Sequence, residues 1–330
     1  MPITVPRVRV VSERVEIPLA PYAQWLTPRA QDVGRFLRVM AGIASREYED
    51  AAEAVPDAFG LAHSSVSRRF ITSSAAALAR FHARRHDDRD WLVLLLDGKR
   101  FADDQVVIAR GVTTAGEKRV LGMVQTATEN QWSCAACLRE IGERSFHASK
   151  GLLVVLDGAK GFRAAGRDVF GDAVAVPRCQ WHTRENVMSD LTKPQQVRFR
   201  RKLQAAYAQA HYATATKALQ RIVQELVAIN TSAASSLEEG LEAILTLHRL
   251  GQHAELRNCL NTTNLIERVM AQIERKTPRV DHWRNREQKH RWCAASLLQI
   301  ERHFRRVRGY KHMPLLQAAR GNKLNNSIAA

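Results

Sequence analysis

Two apolar stretches of the chain each run into the same dipeptide, Asp-Gly. Residues 91–96 are followed by Asp97, and residues 152–156 are followed by Asp157. Uninterrupted runs of Leu and Val predict interior strands of a sheet that is covered on both faces. Substrate sites of open α/β sheets lie outside the carboxyl ends of the strands, so two such carboxylates could share one hard divalent cation. An Asp-Gly turn explains either copy alone, but the repetition favours a metal site.

A third carboxylate, Glu267, is placed by the signals of a helix start. The polar residues 261–264 are suited to capping, and an apolar-periodic stretch follows them. The pattern predicts that Glu267 lies near the first turn of a helix. Its side chain could therefore face the sheet.

The chain is strongly basic, and its last third concentrates the charge. It has 330 residues, with 50 Lys or Arg against 33 Asp or Glu and a formal net charge of +17. Residues 268–311 alone hold thirteen basic and four acidic residues. Such charge suits a polyanionic partner, and nucleic acid is the leading candidate. A membrane surface is a weaker one because the aromatic content is low.

Four aromatic residues are interleaved with these charges: Trp283, Trp292, Phe304 and Tyr310. This pattern is typical of surfaces that follow a phosphate backbone and stack on bases. The alternative is that the aromatic residues anchor the core, which we prefer for Trp292 and the apolar residues within 297–300. We prefer phosphate contact for four arginines that cannot all be paired internally, because they have one carboxylate beside them, Glu301. These are Arg302, Arg305, Arg306 and Arg308.

Composition also limits where the protein works. No apolar stretch is long enough to cross a bilayer, and the first residues lack the charged start and apolar core of a secretion signal. The five cysteines are an odd number without the spacing of a disulfide framework, which favours a reducing compartment. We therefore expect a soluble, cytoplasmic protein without a membrane partner.

Hydrophobic periodicity predicts a mixed α/β sheet with helices on its faces. A meander of three strands is followed by a helix, a strand, a helix and a short strand. From residue 183 onward the pattern is helical, with a polar break at 230–236 and an amphipathic helix over 237–250. The predicted strands cover 91–96, 105–111, 119–125, 152–156 and 173–176, and the helices between them cover 130–147 and 162–170.

The N-terminal region has the pattern of a helix-turn-helix. Helical spacing from about residue 29 is interrupted by Pro56 and Gly60, and a second helix starts at His63 with hydroxyl residues suited to capping. The second helix of such a motif enters the major groove with its first residues at the base edges. An ordinary helical hairpin is the alternative. The residues predicted to face DNA are Ser64, Ser65, Ser67, Arg68 and Arg69.

Cys179 and His182 have the spacing of half a zinc site. We find no convincing second half. Cys134 and Cys137 have a suitable spacing, but they fall in a predicted helix, where small buried cysteines are usual.

Several words of the sequence, in this order, resemble Mutator-type transposases of prokaryotic insertion sequences. They are LLLDGKRF, GVTTAGEKRVLGMVQTATENQW, LLVVLDGAKGFRAA, PRCQWH, SLEEGLEAILTLHRLG, TTNLIER and RWCAASLLQIERHFRRVRGY, within residues 90–318. The resemblance implies a ribonuclease-H-like, mixed-sheet catalytic core that is interrupted by an all-helical insertion. It also implies an Asp, Asp, Glu triad at Asp97, Asp157 and Glu267.

The chemistry that the resemblance implies is two-metal phosphoryl transfer on DNA. Two Mg²⁺ ions, for which Mn²⁺ would substitute, would be held by the triad. Water would free a 3′-hydroxyl at the end of the element, and that hydroxyl would attack target DNA. Cys179 and His182 would lie near the active site, Cys179 at the DNA and His182 positioning DNA or a phosphate. Arg268, Arg275 and Lys276 join the expected DNA contacts.

The expected partners are the double-stranded end repeats of the element and the target DNA. A homodimer or larger complex on DNA is expected, because two ends must be held together. The expected domains are an N-terminal arm (1–28), a helical DNA-binding domain (29–88), the first part of the core (89–182), a helical insertion (183–257), the last part of the core (258–318) and a flexible tail (319–330).

Two other functions fit the same sequence. A structure-selective nuclease of similar fold would cut DNA without joining it. A DNA-binding regulator with a retired active site would use the positive charge and the N-terminal helices equally well. Three retained carboxylates favour the enzyme over the regulator.

Overall fold

The helix predicted to begin at His63 is present in the structure, a computed structural model, as α1 (His63–His82). The structure describes residues 10–12, 15–17, 39–40, 63–101, 103–126, 131–156, 160–170, 174–261, 264–277, 280 and 282–328. The chain divides into two compact units, Met1–Ser73 and Ser74–Ala330. In the first unit, β1 (Val10–Ser12) and β2 (Val15–Ile17) pair antiparallel. The first helix of the predicted helix-turn-helix lies largely outside the described residues.

The second unit is built on a five-stranded mixed sheet, which confirms the predicted α/β class. Its strand order is β5-β4-β3-β6-β7. The first three strands form the predicted antiparallel meander, and β6 and β7 run parallel to β3. The strands are β3 (Trp91–Phe101), β4 (Asp104–Thr113), β5 (Lys118–Thr126), β6 (Leu152–Leu156) and β7 (Val174–Ala175).

Helices cover the sheet and form the rest of the second unit. Two of them connect the strands: α2 (Gln131–Glu143) and α3 (Lys160–Phe170). The helices that follow the sheet in the chain are α4 (Gln180–Ser189), α5 (Lys193–Tyr207), α6 (Tyr212–Val227), α7 (Thr231–Glu238), α8 (Leu241–Ile244), α9 (Thr246–Arg249), α10 (His253–Leu260), α11 (Asn264–Lys276), α12 (Arg286–Glu301) and α13 (Met313–Ile328).

Alternation along β3 assigns its side chains to two cores, because successive residues of a strand point to opposite faces. Val93 and Leu95 pack on the face that α11 and α12 cover. Leu94 and Leu96 pack on the opposite face, against α2 and α3. The run is apolar throughout because both faces of the central strand are covered.

The strand that begins at Trp91 does not end at Leu96, as the Asp-Gly dipeptide predicts. It continues to Phe101, and Asp97 pairs with Ile108 of β4 inside the sheet. The physical reason is the long neighbouring strand, because β4 offers hydrogen-bonding partners as far as the Phe101–Asp104 pair. The ring of Phe101 is buried and packs edge-on against Trp283, with the ring centroids 5.1 Å apart.

The helices that begin at residue 180 have a core of their own. Phe199, Leu203, Leu219 and Leu226 are fully buried in this helical core, which is separate from the two cores on the faces of the sheet. The predicted polar break at 230–236 is the start of α7, because the Asn230 side chain accepts a hydrogen bond from the backbone N–H of Ala233 at 2.9 Å.

Where the sequence predicts a single helix over 237–250, the structure has the end of α7 followed by two short helices, α8 and α9. The helical stretch is interrupted at Gly240, where the side chain of Arg178 packs so closely that a Cβ on Gly240 would lie 2.6 Å from its Nη1. Leu247 of α9 and Leu256 of α10 belong to the core between the sheet and α11 rather than to the helical core.

Two further features bear on the expectations. Residues 313–328 are helical, so α13 extends into the predicted flexible tail, and Gln317 donates from Nε2 to Asp90 Oδ2 at 2.9 Å. Cys134 and Cys137 are buried in α2, as expected for core residues, and burial raises the pKa of the Cys137 thiol to about 12. Of the described helices, not one has both the length and the apolar composition to cross a membrane.

Candidate active site

Asp97 is a carboxylate inside the sheet. Only 7% of its surface is exposed, and it lies in the middle of β3 rather than at its tip. It shares a face with Leu95, two residues before it, so it lies on the side of the sheet that α11 covers. A carboxylate in so little water is disfavoured unless cations or hydrogen bonds compensate for the lost hydration.

Glu267 lies in the first turn of α11, as its sequence context predicts. Ile266, Val269, Met270 and Ile273 form the buried stripe of this helix and pack against the sheet. Glu267 follows directly after the buried Ile266 and is itself partly exposed. It is therefore at the border of the packed face, where a side chain can reach both the sheet and solvent.

Two contacts fix the position of α11 along β3. Near its start, the guanidinium of Arg110 donates from Nη1 to the backbone carbonyl of Leu265, and Arg110 is the β4 partner of Leu95. Near its end, Glu274 Oε1 lies 2.9 Å from Lys99 Nζ. The helix therefore runs in the same direction as β3.

The spacing of these contacts brings Glu267 and Asp97 to the same level of the sheet. From Leu265 to Glu274 the helix rises about 13.5 Å, and from Leu95 to Lys99 the strand rises about 13 Å. Helix and strand thus advance together between the two contacts. Glu267 is about 3 Å beyond Leu265 along the helix, which places it beside residues 95–97 of β3.

Asp157 lies outside the described residues. The last described pair before it is Leu96 with Leu156, where β6 runs parallel to β3. The two Asp-Gly dipeptides therefore follow residues that are direct neighbours in the sheet. Among the described residues, no three of His, Cys, Asp or Glu gather closely enough to hold a metal ion, and that set does not include Asp157.

The Cys-x-x-His element lies at the start of α4, after the last strand. The backbone N–H of Gln180 donates to the carbonyl of Asn261 at 2.9 Å, which ties this helix to the segment just before α11. His182 is partly exposed, and its ring packs edge-on against Trp181, with the centroids 4.7 Å apart. The element is thus joined to the chain that leads to Glu267.

Cys179 is not placed to contact DNA, contrary to expectation. Its side chain is fully buried, and it is the residue before the first turn of α4. Its carbonyl accepts hydrogen bonds from the backbone N–H and the Oγ1 of Thr183, at 3.1 and 3.0 Å. The residue therefore anchors the start of the helix from inside the core.

The expected DNA contacts of the C-terminal segment fall at two different places. Arg268 and Arg275 are exposed on α11, and partial burial lowers the pKa of Lys276 in its last turn. The four arginines of residues 302–308 follow α12, in a segment that reaches the far turn of the meander at Val307. There the backbone N–H of Val307 donates to the carbonyl of Gly116, in the turn between β4 and β5, at 2.9 Å.

Of the four aromatic residues in this segment, three pack against the core and one is exposed. Trp292 is buried, as preferred from the sequence, and Trp283 and Phe304 also pack against the core. Phe304 lies beneath the guanidinium of Arg110, whose Cζ is 3.9 Å from the ring centroid. Tyr310 remains 37% exposed.

Sequence reasoning missed two features, one at the site and one on the opposite face of the sheet. Arg110 reads as one polar residue within a strand, and its buried contact with α11 has no signal in the spacing. Trp132 is 78% exposed in the first turn of α2. The sequence analysis predicted a helix over this residue and gave Trp132 no role.

In the first unit, Ser67, Arg68 and Arg69 are exposed on α1. The side chains of Ser64 and Ser65 lie outside the described part of the chain. The backbone of both residues is helical, as the sequence predicts.

Comparison with known proteins decides the family. The model of the Mutator family of transposases matches residues 34–306, which is most of the chain. The chain belongs to this family. The match begins before α1 and ends after α12, so it spans both Asp97 and Glu267.

Several curated transposases of insertion sequence elements are similar to this chain. The transposase of insertion sequence element IST2 from Acidithiobacillus ferrooxidans is 28% identical over 60% of this chain and 68% of its own length. The transposase of IS256 in transposon Tn4001 from Staphylococcus aureus is 22% identical over 79% of this chain and 67% of its own. The transposase of IS905 from Lactococcus lactis is 25% identical over 72% and 60%.

Proposed function

We propose that this protein is a transposase that cleaves DNA at the ends of an insertion sequence and joins the freed 3′-hydroxyl to target DNA. The observation that supports this most directly is the position of Glu267 beside residues 95–97, on the face of the sheet where Asp97 is buried. Family membership supplies the substrate class. A ribonuclease-H-like core is part of the proposal, supported by an antiparallel meander whose first strand, β3, pairs in parallel with β6, which in turn pairs in parallel with β7.

The proposed ligands fit a hard divalent cation. Asp97 and Glu267 offer carboxylate oxygens, which Mg²⁺ prefers, and Mn²⁺ would substitute. Asp157 would be the third ligand, because it follows the β6 residue that pairs with Leu96. A bound pair of Mg²⁺ ions would stabilise the negative charge that develops on the phosphate and would favour ionisation of the attacking water or hydroxyl.

The residues of this chain would hold and orient the DNA rather than form covalent bonds with it. Burial of Asp97 within β3 fixes its carboxylate, because a central strand cannot move independently of its neighbours. His182 would hold a phosphate oxygen or orient DNA from the partly exposed first turn of α4. Arg268 and Arg275, exposed on the helix of Glu267, would contact the phosphates on either side of the cut.

Recognition of the element ends would fall to the N-terminal unit. Ser67, Arg68 and Arg69 are exposed on α1, and Ser64 and Ser65 precede them in the same helix. A helix that presents hydroxyl and guanidinium groups suits the base edges of the major groove. The joining reaction requires two ends in one complex, so the active form would be a homodimer or a larger assembly on DNA.

The test is cleavage of a labelled duplex that contains an element end, with Mg²⁺ or Mn²⁺. Asp97→Asn, Asp157→Asn and Glu267→Gln should each lower the nicking rate by at least about three orders of magnitude, because each would remove one charged ligand. Glu143→Gln is the control, since Glu143 is exposed at the end of α2. Loss of DNA binding in parallel with nicking would contradict the assignment.

Two further measurements separate the rival functions. A structure-selective nuclease would nick the duplex but would not link a pre-cut end with a free 3′-hydroxyl to a target plasmid. A DNA-binding regulator would bind DNA but show no Mn²⁺ binding that Asp97→Asn removes in isothermal titration. Joining and Asp97-dependent Mn²⁺ binding together are expected for the transposase.

A further inference from the structure

Lys118 is a half-buried lysine at the start of β5. Alternation along the strand puts it on the face of Val120, which packs in the core between the sheet and α11. Its Nζ lies 5.9 Å from the ring centroid of Phe304. Within the described part of the chain, Lys118 forms no hydrogen bond and no ion pair. Its ammonium is therefore a charge at the edge of the core that this part of the chain does not neutralise.

The charged groups that face Lys118 are cations. Arg110 of β4 lies over the same Phe304 ring, with its Cζ 3.9 Å from the centroid, and Arg268 belongs to α11. The pKa of Lys118 is lowered to about 8, chiefly by burial and then by the charge of Arg110, with a smaller effect of Arg268, while the thiol of Cys259 on α10 opposes the shift. We call Lys118, Arg110 and Arg268 the cation cluster.

Two carboxylates close to the cation cluster are already engaged by arginines outside it. Glu301 is bound by Arg84 Nη1 at 2.8 Å and accepts a hydrogen bond from the backbone N–H of Val120 at 3.2 Å. Glu117, the residue before β5, is bound by Arg89. Neither carboxylate is placed to pair with the cluster.

Arg110 also has a donor that the described residues do not use. Its Nη1 donates to the carbonyl of Leu265, whereas its Nε is buried and has no hydrogen-bond partner among the described residues. A buried donor without a partner is costly, as is a desolvated charge without a counter-ion. Both costs fall when an anion binds beside Lys118, so the cluster has the properties of an oxyanion site.

The cation cluster lies on the same face of the sheet as Asp97. Lys118 pairs with Val112 of β4, which pairs with Val93 of β3. From Val93 to Asp97 the strand advances about 13 Å, and two strand spacings add about 10 Å across the sheet. The α-carbons of Lys118 and Asp97 are therefore about 16 Å apart. That is about five steps of a duplex that rises about 3.4 Å per base pair, so one duplex can contact both places.

We infer that Lys118 binds a phosphate of the DNA backbone and thereby positions the duplex that flanks the proposed cleavage site. The inference rests on the proposed function, which makes DNA rather than a free oxyanion the source of the phosphate. Lys118 is a positioning residue, because it acts on the backbone beside the cut and not on the bond that is cleaved. The phosphate supplies the negative charge that the cation cluster lacks, and Arg268 contacts it from the exposed side.

Phosphate binding should be coupled to the uptake of a proton by Lys118. With a pKa of about 8 in the free protein, this group is mostly charged at pH 7 and mostly neutral at pH 9. A bound phosphate favours the charged form, so the pKa rises in the complex. The part of the DNA affinity that depends on Lys118 should therefore be about tenfold lower at pH 9 than at pH 7.

The experiment measures the affinity of the full chain for a duplex of about 30 base pairs at about pH 7 and about pH 9. The unchanged protein should lose about tenfold more affinity over this range than Lys118→Gln, which has no proton to lose. Lys118→Arg keeps its charge throughout and should bind as tightly at the higher pH as at the lower one. The matched control is Lys217→Gln, an exposed lysine on α6, which should keep the pH dependence of the unchanged protein.

Isothermal titration at about pH 8, in two buffers of different ionisation enthalpy, counts the proton directly. The unchanged protein should take up about half a proton per chain more than Lys118→Arg does when the duplex binds. Sodium sulfate replaces the duplex in a parallel titration, because sulfate is an oxyanion that does not titrate in this range. Proton uptake with sulfate but not with the duplex would assign the cluster to a free oxyanion and would overturn the inference.

The pH profile separates positioning from a purely structural role. A lysine that only packs against Phe304 would change the affinity equally at both pH values. An equal loss of affinity in Lys118→Gln at both pH values, or a pH dependence that Lys118→Arg retains in full, overturns the inference. Absence of nicking by the unchanged protein contradicts the proposed chemistry alone, since the pH dependence of duplex binding does not require cleavage.

Discussion

Replacement of Arg110 by methionine separates the stability of the fold from the positioning of α11. Arg110 is 3% exposed, donates to the carbonyl of Leu265 and lies over the ring of Phe304. Methionine is unbranched, flexible and three heavy atoms smaller, so the change removes the charge and the hydrogen bond and leaves the space of the guanidinium tip for the neighbouring side chains to fill.

The stabilising contacts of Arg110 nearly cancel the cost of burying its charge. A hydrogen bond from a charged donor contributes about 1.5 to 3 kcal/mol, and a desolvated cation–π contact contributes about 2 kcal/mol. Against these, burial lowers the pKa of Arg110 to about 10, a penalty for the charged form of about 3 kcal/mol. Because methionine does not have this penalty, the free energy of unfolding should fall by no more than about 2 kcal/mol.

The effect on the site should be larger. Without Arg110 the first turn of α11 loses its hydrogen bond to β4, two residues before Glu267. We expect the Mn²⁺ affinity that depends on Asp97 to fall at least about tenfold, which is about 1.4 kcal/mol. Arg110→Lys keeps a charged donor and should recover part of that loss.

Urea unfolding and isothermal titration with Mn²⁺ measure the two quantities, with Asp97→Asn as the baseline for the titration. A fall of more than about 3 kcal/mol in unfolding free energy would mean that burial of the charge is less costly than its lowered pKa implies. Unchanged Mn²⁺ affinity in Arg110→Met would show that α11 is held in place by its apolar stripe alone.

Two further predictions concern stability. Gly116 has φ +77°, and a Cβ there would lie 2.4 Å from the Cβ of Tyr310. Gly116→Ala should therefore lower the free energy of unfolding, measured in urea, by about 2 to 4 kcal/mol. A loss below about 1 kcal/mol would contradict this contact. Burial lowers the pKa of His86 and of His253 to about 4. As the pH falls, the unfolded chain binds protons at these two histidines before the folded chain does. The free energy of unfolding therefore has its full value above about pH 6.5 and declines toward pH 4. Unfolding free energies across that range should show the decline, and His86→Asn should reduce its slope.

The strands could be predicted because each contains its own signal. The runs that end at Leu96 and Leu156 are apolar on both faces, and turn residues separate the meander at Asp103 and Gly116. Their pairing in one sheet followed from the order of elements. The end of β3 was missed because Asp-Gly is a strong local turn signal, and only the length of β4 overrides it.

The site could be predicted only in part for the same reason. Asp97 and Glu267 are placed by local patterns, one after an apolar run and one after a capping sequence. The level of Glu267 along the sheet, which we infer from the contacts of α11, is not local information. It depends on Arg110, a single polar residue in a predicted strand, and on Lys99, which follows the predicted end of its strand. Burial of Cys179 was also invisible in the sequence, since the Cys-x-x-His spacing is the same for a buried cysteine and an exposed one.

The long helical stretch between residue 180 and α11 need not disturb the site, because its two ends are joined at the sheet. The hydrogen bond from Gln180 to Asn261 brings the entry and the exit together, and Arg178 N–H binds the carbonyl of Ala243 at 3.2 Å. Loop-closure entropy grows only with the logarithm of loop length, so an insertion that is closed at its base adds little strain to the core. Its own buried cluster supplies its stability. Glu267 can therefore follow Asp97 by a long stretch of chain and still lie on a helix that packs along β3, since the position of α11 is set by its contacts with β3 and β4 rather than by the segment before it.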